Sequence, residues 1–423
     1  MSTSEFDKHK VDHLFLLIGE NPLPNYVAAR LLLNRGGTPY LVYTTGTEKL
    51  AKRLQTILSN ELIGLKTAKL VSLNDYESDA YHIKEAICPE IEAIKDGKIG
   101  LNYTGGTKAM AVHAYRAIFS KDSPETVFSY LDPRKLEMCI DRENGDRIRI
   151  KVKPEMLQVK LVKLFQIHSL ELKANPTQEA QLPELATTLA GVFKNEQKAK
   201  QWFDWYYNVF CGEVRKKKKN GDWGDWKSKS ESISVEKLPP EIKAEFQRKN
   251  LISSDGKLSL QAVQQLKTIK QEPVFTEIKH FCKYIDGFWL EHHVLQHVKN
   301  IADNNSIKDY GLNFKVPLKG TQQGFEFDVA FTRGYQLFAI SVSTTSKRDL
   351  CKNKLFEAYL RARQMGGDEA RVALICCSDE PDTLKAEMAL LDDKKIAVFG
   401  RDDLMDLSSK IEEWIKKTDK DAR

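Results

Sequence analysis

The sequence predicts an α/β protein with two sheets separated by a helical stretch. Short apolar runs alternate with helical patterns over residues 13–150, which is typical of a parallel sheet with helices between its strands. A second series of helices and strands starts after about residue 285, and the pattern between the two series is mainly helical. We therefore expect three parts, residues 1–155, 156–285 and 286–423.

The first part is predicted to be a Rossmann-like parallel sheet. Its strands are expected at residues 13–18, 40–43, 70–73, 100–103 and 127–131. Its helices are expected at residues 26–33, 48–58, 80–94 and 109–119, and a closing hairpin at residues 136–140 and 147–152. Ligands of such sheets bind beyond the carboxyl ends of the strands. Polar loops follow several of these ends, so we expect a ligand at this edge.

The turn after the fourth predicted strand carries the strongest ligand signal. Residues 101–108 read Leu-Asn-Tyr-Thr-Gly-Gly-Thr-Lys and lead from an apolar strand into an amphipathic helix. Adjacent glycines let backbone N–H groups approach an anion, and a helix start adds positive partial charge. The Lys108 ammonium and the Thr104 and Thr107 hydroxyls suit phosphate. The spacing is neither that of a Walker loop nor that of a dinucleotide fingerprint, and an ordinary tight turn is the alternative.

Composition sets limits on the class of protein. The chain has 423 residues, with 65 Lys and Arg against 59 Asp and Glu, and the net charge of +6 does not by itself indicate a nucleic-acid binder. The seven cysteines form no C-x-x-C motif, which favours a reducing cytoplasm. The N-terminus lacks a signal-peptide pattern, and no apolar stretch reaches the length of a membrane span, so neither secretion nor membrane insertion is expected.

The middle part contains a basic and aromatic segment from Arg215 to Lys229. Cations and rings together are what single-stranded nucleic acids require of a binding surface. The alternative is a solvated loop beside a helix whose aromatic residues belong to the core. The rings concerned are Trp202, Trp205, Tyr206, Tyr207, Trp223 and Trp226. Residues 241–250, 256–258 and 261–270 suggest a small winged-helix-like unit.

The third part has the predicted order α-β-β-β-α-β. The helices are expected at residues 289–301 and 352–365, and the strands at 312–318, 324–332, 336–342 and 370–376. Three successive strands between two helices form the core of restriction-endonuclease-like nucleases. We therefore predict a C-terminal α/β domain of this PD-(D/E)xK type.

A metal-dependent phosphodiesterase of that type needs a carboxylate on the first helix, an Asp on the second strand and E-x-K on the third. Glu291 and Asp328 match the first two positions, and Glu326 lies on the same strand face as Asp328. These three carboxylates are the predicted ligands of Mg²⁺ or Mn²⁺, which would neutralise the scissile phosphate. An exposed, alternating strand edge is the alternative for Glu326 and Asp328.

The third strand departs from the E-x-K pattern. It reads Ser341-Val342-Ser343, and hydroxyls are poorer ligands for hard divalent cations than carboxylates. Ser341 and Ser343 remain candidate catalytic residues, and Lys352 or Lys354 of the next helix is predicted to supply the missing ammonium. A solvated basic helix face is the alternative.

Three histidines follow Glu291 on the same predicted helix. The spacing of His293 and His297 places both imidazoles on one helix face, as a zinc site requires, but no H-E-x-x-H order or third ligand accompanies them. A general acid-base role for one of the three, including His292, is a second hypothesis.

Two blocks together resemble one family. The block Asn102 to Met110 and the block Glu291…Glu326-Phe327-Asp328-Val329 resemble CRISPR-associated CARF-domain nucleases of the PD-(D/E)xK type. The resemblance covers residues 1–150 and 285–400. It implies a type III CRISPR ancillary effector, a homodimer whose CARF domains bind cyclic oligoadenylate and activate a nuclease acting on RNA or single-stranded DNA. The implied activator is cyclic tetra-adenylate most often, with hexa-adenylate as the alternative ring.

Residues for this ligand follow from the polar edge of the first sheet. Phosphate contacts are expected from Thr104, Gly105, Gly106, Thr107 and Lys108, and base or ribose contacts from Asn21, Asn25, Thr44 and Thr45. Three further hypotheses stay open because E-x-K is absent: a metal-independent RNase acting on structured RNA such as tRNA, a non-catalytic nucleic-acid-binding regulator, and a nuclease that degrades the ring itself.

Overall fold

The computed structural model describes residues 4–61, 64, 66–119, 126–141, 146–219, 223–226, 232–268, 270–317, 324–392 and 394–422. The first sheet contains the strands β1 (Val11–Leu17), β2 (Leu33–Tyr43), β3 (Lys69–Ser72), β4 (Ile99–Asn102), β5 (Val127–Asp132), β6 (Glu137–Ile140) and β7 (Ile148–Lys151). Its helices are α1 (Leu23–Leu32), α2 (Glu48–Glu61), α3 (Ala80–Glu92) and α4 (Lys108–Phe119), and α5 (Leu161–Ile167) follows the sheet.

The strand order of this sheet reverses beside β1. The order is β3-β2-β1-β4-β5-β6-β7, and the first five strands in the chain are parallel. The chain moves outward from β1 to β3 and then crosses back to place β4 on the other side of β1. The loops after the neighbouring strands β1 and β4 therefore lie at a topological switch point, where sheets of this kind bind their ligands.

The middle part is mostly helical with four short strands. Its helices are α6 (Pro183–Phe193), α7 (Glu196–Trp205), α8 (Cys211–Val214), α9 (Pro240–Arg248), α10 (Leu260–Gln265) and α11 (Ile278–Lys283). Its strands are β8 (Arg215–Lys217), β9 (Trp223–Trp226), β10 (Ser232–Ser234) and β11 (Lys257–Ser259). Strand β10 precedes α9 and pairs antiparallel with β11, which lies between α9 and α10 in the region where a winged-helix-like unit is predicted.

The second large sheet begins after a long buried helix. In chain order its elements are α12 (Trp289–Ile301), β12 (Ile307–Pro317), β13 (Gly324–Arg333), β14 (Gln336–Ser343), α13 (Arg348–Gly366), β15 (Arg371–Cys376), α14 (Pro381–Asp392), β16 (Ile396–Phe399) and α15 (Leu407–Asp421). The strand order is β12-β13-β14-β15-β16, antiparallel up to β14 and parallel thereafter. The predicted α/β class, with a helical middle and a C-terminal sheet domain, is confirmed.

The middle part shares one hydrophobic core with the C-terminal sheet. The Phe193 ring of α6 packs on Trp289 of α12 with the ring centroids 4.9 Å apart. Apolar residues of the middle helices, of α12 and of one sheet face belong to the same buried cluster. This cluster includes Ile285 and Trp289, which lie on either side of the boundary that the sequence predicts at residue 285.

Three of the six aromatic residues predicted to accompany the basic segment belong to this core. Trp202, Trp205 and Tyr206 are buried, and the Trp205 indole N–H donates to the Ser234 carbonyl at 2.7 Å. Their rings are therefore unavailable for stacking on bases. Residues 220–222 and 227–231 of the segment, and residues 142–145 of the predicted hairpin, lie outside the described residues.

Two observations bear on the expected environment of the chain. Every one of the seven cysteines is a free thiol. Within the described residues, no helix combines the length and the hydrophobicity needed to cross a bilayer.

Helix α5 and a short loop join the two large sheets. The Phe165 ring of α5 stacks on Phe314 of β12 with centroids 5.8 Å apart, inside a cluster that includes one face of each sheet. The loop between α13 and β15 approaches the loop after β1, because a Cβ atom on Gly367 would lie 2.5 Å from Nδ2 of Asn21. Two separate contacts thus fix one sheet relative to the other.

This loop contains a buried acid. Glu369 is only 2% exposed, and its Oε1 has no hydrogen-bond partner within the described part of the chain. Burial raises the pKa of Glu369 to about 7. Because the folded state favours the neutral acid, this group contributes stability that is complete below its unfolded pKa, near 4.5, and is lost as the pH rises through about 7.

We expect Glu369→Gln to reduce the dependence of the free energy of unfolding on pH between pH 4.5 and 8. The free energy of unfolding of the original chain should fall by up to about 3 kcal/mol between pH 4.5 and 8 from this group alone. Chemical unfolding at a series of pH values measures the difference between the two proteins. Glu357→Gln, at an exposed position of α13, is the control and should leave the profile unchanged. Identical profiles for Glu369→Gln and the original chain would contradict the assignment.

Candidate functional site

The turn between β4 and α4 packs directly against the end of β1. A Cβ atom on Gly105 would lie 2.2 Å from the Leu17 carbonyl oxygen, so no larger residue fits without movement. Gly106 has a φ of +73°, a left-handed conformation that glycine adopts without steric cost. A Cβ atom on Gly19 would come within 2.9 Å of the Gly106 nitrogen. The loops after β1 and β4 therefore meet closely at the switch point.

Two of the residues predicted to bind the ligand also support this turn. The Asn25 side chain is fully buried, and its Nδ2 donates to the Leu17 carbonyl at 2.8 Å. Thr104 Oγ1 accepts a hydrogen bond of 2.7 Å from the Leu131 N–H. Both groups therefore hold the backbone of the turn in place.

The exposed rim of the turn is formed by Thr107 and Lys108. Thr107 caps α4, because its Oγ1 accepts from the Met110 N–H at 3.1 Å and donates to the Glu77 carbonyl at 2.9 Å. Lys108 is the first residue of α4 and is exposed. The positive end of a helix dipole and an ammonium thus lie together at the sheet edge, an arrangement that favours anions.

Three other predicted contacts lie at the same edge. Asn21 follows β1, and its Oδ1 accepts from the Leu23 N–H at 3.0 Å. Thr44 and Thr45 follow β2, where the Thr44 and Thr47 hydroxyls hydrogen-bond at 3.3 Å and Thr45 is exposed. The carboxyl ends of neighbouring parallel strands bring these residues to the side of the sheet that carries Lys108.

The second sheet brings the predicted carboxylates together. Glu291 of α12 is buried, and burial, followed by the charges of Asp328 and Glu326, raises the pKa of Glu291 well above its usual range. Asp328 Oδ2 accepts from the Val342 N–H at 2.6 Å and from the Ser341 hydroxyl at 3.2 Å. The first serine of the altered third motif therefore orients the aspartate. We call Glu291, Glu326 and Asp328 the carboxylate cluster.

Lys354 lies beside this cluster and Lys352 does not. Lys354 Nζ is 3.6 Å from Asp328 Oδ2 and donates to the Val342 carbonyl at 2.7 Å. Lys352 instead pairs with Glu387 of α14 at 3.2 Å. The following helix thus places an ammonium beside Asp328, and of the two lysines that the sequence suggested it is Lys354.

Ser343 is not part of this arrangement. Its Oγ accepts a long hydrogen bond of 3.5 Å from the Thr345 N–H, just beyond the end of β14. Ser341 and Ser343 lie on the same face of β14, because every second residue of a strand faces the same side. Ser343 is two residues further along the strand, and this displacement separates it from Asp328.

The carboxylate cluster is not a preassembled three-ligand metal centre. Within the described ranges, no three or more His, Cys, Asp or Glu side chains are arranged to hold a metal ion. Glu326 forms an ion pair of 3.2 Å with Lys315 of β12, a partner that the sequence reasoning missed. The alternating polar positions of two adjacent strands were the signal that would have paired them. Glu291 and Asp328 remain oxygen donors of the kind that Mg²⁺ and Mn²⁺ prefer.

The three histidines of α12 have structural partners. His293 Nε2 hydrogen-bonds with the Leu404 carbonyl at 2.8 Å, and His297 Nδ1 with the Ser408 hydroxyl at 2.8 Å. Burial lowers the pKa of His292 and of His297 to about 4. His293 and His297 join α12 to the start of α15, so the zinc hypothesis finds no ligand group in the described residues.

Comparison with known proteins agrees with this architecture. Residues 14–160 match the Card1 CARF domain family. The protein VC1899 from Vibrio cholerae has a similar structure, with a TM-score of 0.70 and 18% identity over 96% of this chain and 98% of that chain. Can2 from Sulfobacillus thermosulfidooxidans, solved in complex with cyclic tetra-adenylate, matches with a TM-score of 0.64 and 16% identity over 97% of this chain and 98% of that chain. No curated protein matches the chain in sequence.

The protein thus consists of a Rossmann-like domain with a polar switch point and a second α/β sheet domain. The Rossmann-like domain, at the N-terminal end, is a CARF domain. Residues 14–160 form a CARF domain of the Card1 type.

The packing of the turn predicts different effects for two glycines of the CARF domain. We expect Gly105→Ala to lower the free energy of unfolding by about 1–3 kcal/mol, because the new methyl group would overlap the Leu17 carbonyl. Gly46→Ala is the control, since its Cβ would meet its nearest neighbour, Thr44 Oγ1, at an ordinary 3.8 Å. Thermal or chemical unfolding compares the two variants. Equal stability of both would show that the close approach is not a constraint.

Proposed function

We propose that this protein is a type III CRISPR effector in which a cyclic oligoadenylate bound to the CARF domain activates a nuclease in the C-terminal sheet domain. One observation carries the proposal. A Card1-type CARF domain is joined, in the same chain, to a sheet domain in which Glu291, Asp328 and Lys354 lie together. A sensor domain and a group of residues suited to phosphodiester chemistry thus belong to one molecule.

The CARF edge supports a ring ligand with several phosphates. The amides of Gly105 and Gly106, the amino end of α4 and the Lys108 ammonium would contact phosphates. In a twofold homodimer two copies of this edge would face one ring, since an isologous interface repeats each contact. The solved structure of Can2 contains cyclic tetra-adenylate, and this ring is the ligand that we propose for this chain.

The carboxylate cluster supports phosphodiester hydrolysis. Asp328 is oriented by the Val342 N–H and the Ser341 hydroxyl, and Lys354 lies where it would stabilise negative charge on a phosphate. Glu291 and Asp328 would hold a Mg²⁺ or Mn²⁺ ion, and such an ion polarises a phosphoryl oxygen and activates water. Burial, and then the charges of Asp328 and Glu326, raise the pKa of Glu291, and a bound cation would favour its charged form.

A metal-independent RNase acting on structured RNA is the second candidate. Two observations favour it. Lys354 and Ser341 contact Asp328 where the E-x-K motif would supply a carboxylate and a lysine, and Glu326 is already paired with Lys315. In this case the lysine supplies the charge stabilisation that a cation would provide. Cleavage that persists in EDTA would distinguish it from the first candidate.

The two domains offer a physical route for activation. Helix α13 carries Lys354 near its start and ends at Gly366, beside the loop that meets Asn21 of the CARF edge. A ring that moved the loop after β1 would shift this helix as a rigid body. Coupling of this kind is typically worth about 1–3 kcal/mol.

A nuclease assay with the full chain tests the proposed function. Labelled RNA and single-stranded DNA are incubated with and without cyclic tetra-adenylate or hexa-adenylate, in Mn²⁺, in Mg²⁺ and in EDTA. We expect cleavage that depends on the ring and is abolished in Asp328→Ala. Absence of ring-dependent cleavage of every substrate would reject the proposal.

Lys108→Ala tests the ligand side. We expect the ring to bind more weakly by about 1.5–3 kcal/mol, the cost of a lost charge-assisted hydrogen bond. Lys95→Ala is the control, because Lys95 is exposed in the connection from α3 to β4, at the opposite edge of the sheet. Calorimetry measures both affinities. Equal affinity of the two variants would remove Lys108 from the site.

Lys354→Ala and Lys352→Ala form a matched pair on one helix. We expect the first to lower the rate of ring-activated cleavage by about 10²-fold or more, because charge stabilisation next to Asp328 is lost. The second should cleave at a rate close to that of the original chain, since Lys352 pairs with Glu387. Single-turnover cleavage rates decide, and a larger effect of Lys352→Ala would contradict the assignment.

A further inference from the structure

A cationic cleft adjoins the carboxylate cluster. It has a volume of about 510 Å³ and lies between the chain around residues 173–181, the middle part at residues 273–292 and strand β12. Lys173, Lys283 and Lys315 line it, and no acidic residue appears among the described residues of its wall. Such a surface attracts a negatively charged ligand.

The cleft connects directly to the proposed catalytic residues. Lys315 forms an ion pair with Glu326, and His292 follows Glu291 in α12. Asn313 lies between Leu312, which pairs with Val329, and Phe314, which pairs with Phe327, so it stands opposite Asp328 across the two strands. The φ of Asn313 is +68°, a strained conformation for a residue inside a strand, and strain of this type concentrates at functional sites.

One aromatic ring in the cleft is available to a ligand. The Phe288 side chain is 38% exposed although it lies at the end of a π-helical turn, Tyr284–Phe288, that leads into the buried helix α12. Short π-helical insertions occur frequently at functional sites. An exposed ring beside ammonium groups is the arrangement with which proteins bind unpaired bases and their phosphates.

A buried polar group also faces the cleft. His292 is 5% exposed, its Nδ1 accepts from the Gln181 N–H at 3.0 Å, and it lines the cleft wall. Because Nδ1 accepts this hydrogen bond, the proton of the neutral ring lies on Nε2. Nε2–H has no protein partner in the described part of the chain, which leaves a donor for a ligand.

We propose that this cleft is a nucleotide subsite that holds one unpaired base of a nucleic-acid strand and so positions the neighbouring phosphate at the carboxylate cluster. Phe288 stacks on the base, Asn313 and His292 hydrogen-bond to it, and Lys173 and Lys283 contact phosphates on either side. The volume suits a single small ligand, since such pockets measure about 300–1,000 Å³. A duplex keeps its bases paired and stacked, so single strands are preferred. The inference rests on the proposed function for its substrate.

Binding of short labelled strands to the full chain tests the subsite. Fluorescence anisotropy in EDTA, with and without cyclic tetra-adenylate, compares single-stranded RNA, single-stranded DNA and a duplex of the same sequence. We expect Phe288→Ala to weaken single-strand binding about tenfold or more, while Phe288→Trp, which keeps a ring, retains the affinity. The duplex should bind equally to all three proteins.

Substitution of two lysines of α11 distinguishes a specific phosphate contact from a general effect of positive charge. We expect Lys283→Ala to weaken single-strand binding and to reduce the slope of log affinity against log salt by about 0.7. Lys279→Ala is the matched control, because Lys279 pairs with Glu277 at 2.8 Å and does not line the cleft, and it should bind as the original chain does. This pair also decides the matter if Phe288→Ala fails to fold.

Failure of the proposed subsite can be distinguished from failure of the proposed nuclease function. Ring-dependent cleavage by a Phe288→Ala protein that also binds strands as the original chain does would overturn the subsite alone. Strand binding that depends on Phe288 and Lys283, without ring-dependent cleavage of any substrate, would leave the subsite standing and reject the proposed nuclease. Equal effects of Lys283→Ala and Lys279→Ala would overturn the subsite as well.

Discussion

Helix α13 is the element on which the relation between the two domains depends. Near its start, Lys354 bonds to Val342 and lies beside Asp328, and at its end Gly366 leads into the loop that packs against Asn21. Twelve residues of helix separate these ends, a distance of about 18 Å at 1.5 Å per residue. A helix anchored at both ends transmits displacement because its backbone hydrogen bonds resist bending. The CARF edge and the carboxylate cluster are therefore joined by a single helix.

Charge is arranged in opposite ways at the two sites. The CARF edge presents the amino end of α4 and an exposed lysine, so it is ready for an anion and needs no counter-charge of its own. The C-terminal sheet buries Glu291 next to two other carboxylates and places Lys354 and Lys315 at the border. Buried like charges are unfavourable unless a cation or a proton compensates them. In the structure, the raised pKa of Glu291 and the nearby Lys354 ammonium reduce this cost.

The middle part packs aromatic residues against the C-terminal sheet and also forms one wall of the cleft beside β12. Its helices bury Trp202 and Trp205 against the sheet, so these two rings are not part of an exposed surface. The same packing leaves Phe288 and Lys283 at the edge of a cleft beside β12. Trp223 and Lys283 are about sixty residues apart in the chain, so the proposed subsite lies outside the basic and aromatic segment that the sequence singled out.

Local pattern alone determined the two sheets, the turn of Gly105 and Gly106 and the carboxylates of the second sheet. Alternation, turn glycines and helix caps are properties of a few neighbouring residues, so they can be read without a fold. Tertiary packing alone decided that Asn25 supports the turn, that Lys354 rather than Lys352 meets Asp328, and that Lys315 pairs with Glu326. These outcomes depend on which faces of distant elements meet, and a side chain's partner across a sheet or beside a helix is set by the geometry of the whole core.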